Sequence, residues 1–163
     1  HRDLHSFPTR RSSDLYKIII TGRTKHFINA FGEELIVDNA EHAIKIACER
    51  TRAVVSEYTA GPVFMNVGNK GAHQWIIEFE RDPDSFDQFV SCLDNALKML
   101  NSDYEAKRHK DITLEMPHVL KVPRGTFYNW MKQRGKVGGQ NKIPRLSNNR
   151  QYIDQLFEML DKK

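Results

Sequence analysis

Val63-Phe64-Met65-Asn66-Val67-Gly68-Asn69-Lys70-Gly71-Ala72-His73-Gln74-Trp75-Ile76-Ile77-Glu78-Phe79 is the stretch from which a fold can be argued. Val63, Met65 and Val67 alternate with Phe64 and Asn66, and Trp75, Ile77 and Phe79 alternate with Gln74, Ile76 and Glu78. A period of two is the pleat of a half-buried strand. Gly68-Asn69-Lys70-Gly71 supplies turn chemistry between the two runs, so together they predict an antiparallel hairpin.

On both sides the period changes to that of a helix. Upstream, Asp38 with Glu41 forms a capping-box-like start. Ala40, Ala43, Ile44, Ala47, Cys48, Val54, Val55 and Tyr58 then recur at helical spacing as far as the break at Gly61-Pro62. Downstream, Asp84 or Ser85 caps a helix whose apolar face is Phe86, Phe89, Val90, Leu93, Leu97 and Leu100. Residues 101–111 are polar and predict a short exposed helix. Leu114, Met116, Val119 and Val122, interrupted by Pro117, predict an irregular or edge strand. Gly125-Thr126 opens a short helix carrying Phe127, Trp130 and Met131. Residues 133–149 are rich in Gly, Lys, Arg and Asn and predict a loop. Tyr152, Ile153, Leu156, Phe157 and Leu160 mark a last helix. With the apolar run Tyr16-Lys17-Ile18-Ile19-Ile20 in front, the order is strand, helix, hairpin, helix, strand, helix. It implies an α+β domain with helices on one face of a small, largely antiparallel sheet. A ferredoxin-like plait is the natural candidate, and such a fold alone says little about activity.

The chain has 163 residues, enough for one domain with a real core. At 39% hydrophobic and 28% charged residues the composition is that of a soluble globular protein. No apolar run is long enough to cross a membrane. The net charge of +4 suits an anionic ligand. It argues only weakly for nucleic acid, because acidic residues are interspersed almost everywhere. Cys48 and Cys92 fall on apolar helix faces, which reads as buried thiols in a reducing, cytoplasmic compartment. No Cys-x-x-Cys or His-x-x-x-His pair suggests a metal site, and no phosphate-loop, Gly-x-Gly-x-x-Gly or Gly-x-Ser-x-Gly pattern is present.

Residues 1–15 show neither helical nor strand period and lack the apolar core of a signal peptide. The run Ser6-Phe7-Pro8-Thr9-Arg10-Arg11-Ser12-Ser13-Asp14-Leu15 looks like translated sequencing adapter. The expectation is a non-native tail over 1–15 and a single domain over 16–163, cut from a larger protein just upstream of Tyr16.

Two segments carry more polarity than packing needs. In Gly22-Arg23-Thr24-Lys25-His26-Phe27-Ile28-Asn29-Ala30-Phe31-Gly32-Glu33-Glu34-Leu35, Gly32 can supply the positive φ of a turn. Spacing alone leaves Arg23 and Lys25 solvated and balanced by Glu33 and Glu34. In Gly138-Gly139-Gln140-Asn141-Lys142-Ile143-Pro144-Arg145, paired glycines loosen the backbone and Pro144 extends Ile143. Lys142 and Arg145 could be offered there to an anion, lysine as a point charge and arginine as a bidentate fork. Alone, this too reads as a solvated basic loop.

Taken together, the two segments resemble adenylate-forming enzymes. The first is similar to the hinge that joins their large N-terminal domain to a small mobile lid. His26-Phe27-Ile28-Asn29 and Phe31-Gly32-Glu33-Glu34 resemble one branch, the auxin-responsive promoter (Gretchen Hagen) family of acyl-acid amido synthetases. His73 to Glu80 stands where that family has an aromatic-rich lid strand. Gly125-Thr126-Phe127, Arg134-Gly135 and Gln140-Asn141-Lys142-Ile143-Pro144-Arg145 match its C-terminal pattern in order and approximate spacing.

The resemblance implies a C-terminal lid of an ATP- and Mg2+-dependent ligase. Its partners would be its own N-terminal domain, a carboxylic acid and an amino acid. Lys142 matches the lysine that meets the acid's carboxylate and the α-phosphate during adenylation. Lys25 matches the pivot, and Arg23 the arginine near the ATP ribose and phosphate. Gly32 and Glu33 match the loop that faces the site after rotation, where Glu33 or Glu34 could orient or deprotonate the attacking amine. Gln140 and Arg145 belong with Lys142 on the anion-binding loop. Leu146 replaces a cysteine frequent in plant members, and Lys136-Val137-Gly138-Gly139 replaces their serine-rich loop, which suggests a bacterial-type member. The nucleotide and acid pockets would lie mainly in the large domain, so the piece would be inert alone. The alternative is a stand-alone ferredoxin-like module binding RNA or a small effector, with Tyr152, Trp75 and Phe79 stacking on bases. Against it, these aromatics alternate as core residues do.

Overall fold

The computed structural model describes residues 26–162. Arg23, Lys25 and the run Tyr16-Lys17-Ile18-Ile19-Ile20 lie outside the described residues, as does the whole expected tail.

A small antiparallel pair, β1 (Phe27–Ile28) and β2 (Leu35–Ile36), sets Ile28 opposite Leu35. Helix α1 (Val37–Thr51) follows directly. The main sheet has strand order β3-β4-β5, from β3 (Val54–Val63), β4 (Ala72–Arg81) and β5 (His118–Val122). β3 and β4 are antiparallel, with Tyr58 opposite Ile77; β5 runs parallel to β4 with Leu120 opposite Ile76. Between β4 and β5 come α2 (Phe86–Leu100), α3 (Ser102–Arg108) and a 3-10 turn, His109–Asp111. Helices α4 (Thr126–Gln133) and α5 (Gln151–Asp161) complete the chain. The α+β class expected from the order of elements is the one observed.

The first helix ends earlier than its apolar spacing implies. Thr51 turns its hydroxyl onto the Ala47 carbonyl at 2.7 Å. Arg52 adopts left-handed backbone, φ 57°, and closes the helix onto the Cys48 carbonyl. Val54, Val55 and Tyr58 therefore belong to β3. Their i, i+1, i+4 spacing fits a helix face, but β-branched Val54-Val55 favours the pleat once the helix is capped. The helix also opens before the expected box. Asn39 accepts from the Ile36 amide at 3.4 Å, while Glu41 is engaged by the Tyr58 hydroxyl at 2.9 Å.

The hairpin is shifted as a consequence. Its first strand ends at Val63, where the alternation predicts that it begins. Phe64, Met65 and Val67 are exposed residues of the connection. Gly61-Pro62, a helix break in sequence, lies within β3 and admits a neighbour. A Cβ on Gly61 would stand 3.1 Å from both the Asn149 carbonyl oxygen and Ile153 Cγ1. The approach of α5 to the sheet depends on that missing side chain.

Helices cover both faces of the sheet, not one. Trp75, Ile77 and Phe79 enter a core built from α1 and α2 with Ala43, Ala47, Phe89, Leu93 and Leu97. Ile76, Leu120 and Val122 enter a second core with Phe127, Trp130, Leu156 and Met159 from α4 and α5. Ile76 sits in the polar half of the hairpin's alternation because that alternation assumes a solvated outer face. A central strand covered on both sides is apolar on both.

Residues 144–147 leave the expected loop and run beside β3. The Ala60 amide donates to the Arg145 carbonyl at 2.9 Å, and the Ser147 amide to the Ala60 carbonyl at 3.1 Å. Leu146 is fully buried and joins the first core. This short parallel addition occupies the outer edge of β3.

Candidate functional site

The turn between β1 and β2 carries Gly32, Glu33 and Glu34. Gly32 has φ 84° and Glu34 φ 43°. Left-handed backbone is natural for glycine and strained for glutamate, so something must hold it. The hold comes from Glu33, whose side chain is 0% exposed. One carboxylate oxygen accepts from the Phe31 amide at 2.7 Å; the other lies 2.7 Å from His73 Nε2 on β4. Burial alone would raise the Glu33 carboxyl, but the hydrogen bond from His73 and the backbone donors outweigh it and hold it below its ordinary value. Glu34 points outward, its amide bound by Asn29 Oδ1 at 3.2 Å and its carbonyl by the Asn101 side chain at 3.2 Å. Gly32 is exposed at the apex.

Behind the turn lies a buried polar cluster that sequence reasoning missed. The Tyr104 ring packs against His73 with centroids 5.4 Å apart. Its hydroxyl donates to Asp94 Oδ1 at 2.7 Å. Arg108 grips the same carboxylate as a fork, Nε to Oδ1 at 2.8 Å and Nη2 to Oδ2 at 2.7 Å. It also donates to the Leu114 carbonyl at 3.0 Å and pairs with Asp111. Burial opposes ionisation of Asp94, but the Arg108 and Tyr104 bonds prevail and its carboxyl is lowered. The segment expected to be an exposed helix is α3, and Tyr104 and Arg108 on it are buried. A signal existed: Asp94 stands one turn from Val90 and Leu97, an acid on an otherwise apolar face. Tyr104 and Arg108 are spaced i, i+4 on a helix that Asn101 caps by accepting the Tyr104 amide.

The second segment is a loop with a fixed base and an open apex. Gly138 and Gly139 have φ 91° and 64°, conformations that call for glycine. Gln140 and Lys142 are exposed. At the base, the Thr59 hydroxyl donates to the Pro144 carbonyl at 2.6 Å. Arg145 is tied down: Nη1 meets Glu57 Oε2 at 2.6 Å and the Tyr58 carbonyl at 3.1 Å, Nε lies 3.5 Å from Glu41, and the guanidinium covers the Tyr58 ring at 4.7 Å. Arg134, at the start of the loop, lies over the Trp130 and Tyr152 rings at 4.6 and 4.9 Å. The Gly125-Thr126-Phe127 run is the start of α4, where the Glu78 carboxylate takes the Gly125 and Phe127 amides at 2.9 and 3.1 Å.

The two segments meet. The Asn29 amide donates to Asn148 Oδ1 at 2.7 Å, joining the β1–β2 turn to the base of the lysine loop. Of the three rings that the RNA-binding alternative relies on, Trp75 and Phe79 are core residues and offer no face to a base, while Tyr152 is half-buried against Trp130 with centroids 5.6 Å apart. Among the described residues no group of His, Cys, Asp and Glu is arranged to hold a metal ion, and no helix is long and apolar enough to cross a membrane.

An α+β domain with a clamped lysine loop beside a strained, buried-carboxylate turn has the fold of the C-terminal part of known acyl acid amido synthetases. The chain is similar to AtGH3.15 acyl acid amido synthetase in complex with 2,4-DB, with TM-score 0.67 at 18% identity over 84% of this chain and 26% of that one. It is also similar to GH3.15 acyl acid amido synthetase, with TM-score 0.65 at 18% identity and the same coverage. It thus spans about a quarter of the length of the solved structures it matches. No curated protein matches it in sequence. The model of the GH3 family C-terminal domain matches residues 38–151, and the chain belongs to the GH3 family.

Proposed function

We propose that this domain is the mobile lid of an ATP-dependent acyl acid amido synthetase, closing over a large N-terminal domain in the cytoplasm. The first step joins a carboxylic acid to the α-phosphate of Mg-ATP and releases pyrophosphate. The second displaces AMP by the amine of an amino acid and leaves an amide. The observation that carries this reading is Lys142, exposed on a glycine-hinged apex whose base is pinned by Thr59 and Arg145. A lysine so held can reach between carboxylate and phosphate and neutralise the charge developing there. Arg145, engaged by Glu57 and Glu41, serves as the anchor of the loop, and Gln140 with Lys142 as its reaching part.

In the second step the lid rotates and presents the β1–β2 turn instead. Of its two carboxylates Glu34 faces outward and is the one able to meet the amine, while Glu33 holds the turn in shape. Lys25 as pivot and Arg23 towards the nucleotide rest on the resemblance alone. Mg2+ and ATP would be held mainly by the large domain, with this lid contributing the charge of Lys142.

Lys142→Ala, in a full-length enzyme carrying this lid, is expected to lower acid-dependent ATP–pyrophosphate exchange by roughly a hundredfold or more. Folding stability should stay within about 0.5 kcal/mol, because the side chain is exposed. Exchange equal to that of the unaltered enzyme refutes the assignment.

A further inference from the structure

We infer that His73 is a positioning residue for the β1–β2 turn: its Nε2–H fixes the Glu33 carboxylate, and through it the backbone on which Gly32 and Glu34 are displayed. Its importance to the reaction rests on the role proposed above for that turn; the positioning itself does not.

His73 and Glu33 are both 0% exposed in their side chains and 2.7 Å apart. His73 Nδ1 is also buried and has no hydrogen-bond partner among the described residues. That pattern selects a tautomer. A proton on Nδ1 would strand a buried donor and leave Nε2 facing a carboxylate with no hydrogen between them. A proton on Nε2 satisfies Glu33 and leaves only a lone pair unmet. The carboxylate, so oriented, takes the Phe31 amide on its other oxygen and fixes the chain into the left-handed steps at Gly32 and Glu34.

The seat of the turn is completed from α3. Asn101 at its N-cap donates to the Glu34 carbonyl at 3.2 Å, and the Lys107 side chain passes 3.4 Å from where a Cβ on Gly32 would stand. Tyr104 on the same helix packs its ring on His73. A turn strained at a non-glycine residue and held from two elements is pre-organised, which suits a surface presented to substrate only after a domain rotation.

The test uses the 163-residue chain, without ATP or acid, so its outcome is separate from the exchange assay. Nitrogen NMR of the imidazoles is expected to show His73 with a pyrrole-type Nε2 and a pyridine-type Nδ1. His73→Gln offers a side-chain amide donor to Glu33 and should keep the Phe31, Gly32 and Glu34 amide shifts. His73→Phe fills the volume without a donor and should speed hydrogen exchange of the Phe31 amide by about tenfold or more. A proton on Nδ1 in the unaltered chain overturns the inference with no variant needed. So does a Phe variant that keeps the turn while the Gln variant disturbs it.

Discussion

Replacing Asp94 by Asn removes one charge from a buried ion pair of the domain and nothing else of consequence to shape. Asp94 and Arg108 are 2% and 5% exposed. Breaking a buried pair from one side costs about 3–5 kcal/mol, because the remaining charge stays desolvated. Two features favour the lower end. Arg108 keeps Asp111, which is 56% exposed, as a weaker partner. The Asn carbonyl can still accept from Tyr104 and from Arg108 Nε. About 3 kcal/mol is expected, a large share of the ~5–15 kcal/mol that holds a domain together. At ~2–4 °C per kcal/mol for a chain of this size, the melting midpoint should fall by about 6–12 °C. Urea unfolding is the better assay, with the midpoint lowered and the slope unchanged. Asp94→Leu with Arg108→Met and Tyr104→Phe should recover most of the loss, since an apolar trio of similar volume leaves neither a charge nor the Tyr104 hydroxyl buried without a partner. A single-variant loss under about 1 kcal/mol, or a triple variant worse than the single, refutes this account of the cluster.

Two further outcomes follow from the same chemistry and packing. Glu33 and Asp94 both have folded carboxyl values below their unfolded ones. Their contribution is therefore complete above the unfolded range near pH 4 and is lost as pH falls through the lower folded values. The urea midpoint should decline in acid, and less steeply in Asp94→Asn. A Cβ at Gly71 would stand 2.5 Å from Phe31 Cε1, so Gly71→Ala should cost about 1–3 kcal/mol by displacing that ring. Phe31→Leu in the same chain should return part of it, and equal losses with and without the second change would count against the clash.

Helices with a cap and a strict apolar face were legible: Ser85 does accept from Gln88 at the start of α2, and the Leu93, Leu97 face is buried. The α1–β3 boundary was not, because Val54, Val55 and Tyr58 satisfy a helical spacing while a left-handed residue at Arg52, invisible in composition, decides otherwise. Ile76 was misplaced because the alternation rule assumes one wet face, and whether a second layer covers that face depends on α4 and α5, far along the chain. The site shows the same limit. Lys142 could be placed on an exposed loop from Gly138-Gly139 alone. Arg145, three residues on, is committed to Glu57 across 88 positions, a pairing no local rule can see.

Glu33 and Glu34 sharpen the point. They are adjacent and chemically identical, yet one is buried against His73 and the other faces water. Composition cannot separate them, and strand parity cannot either, because the left-handed step at Glu34 breaks any alternation before Leu35. The other half of the pairing was legible. A carboxylate turned inward needs a donor, and β4 carries one at His73, two residues before Trp75 and on the same face as it. What concealed it was the habit of reading charge in a glycine turn as solvated.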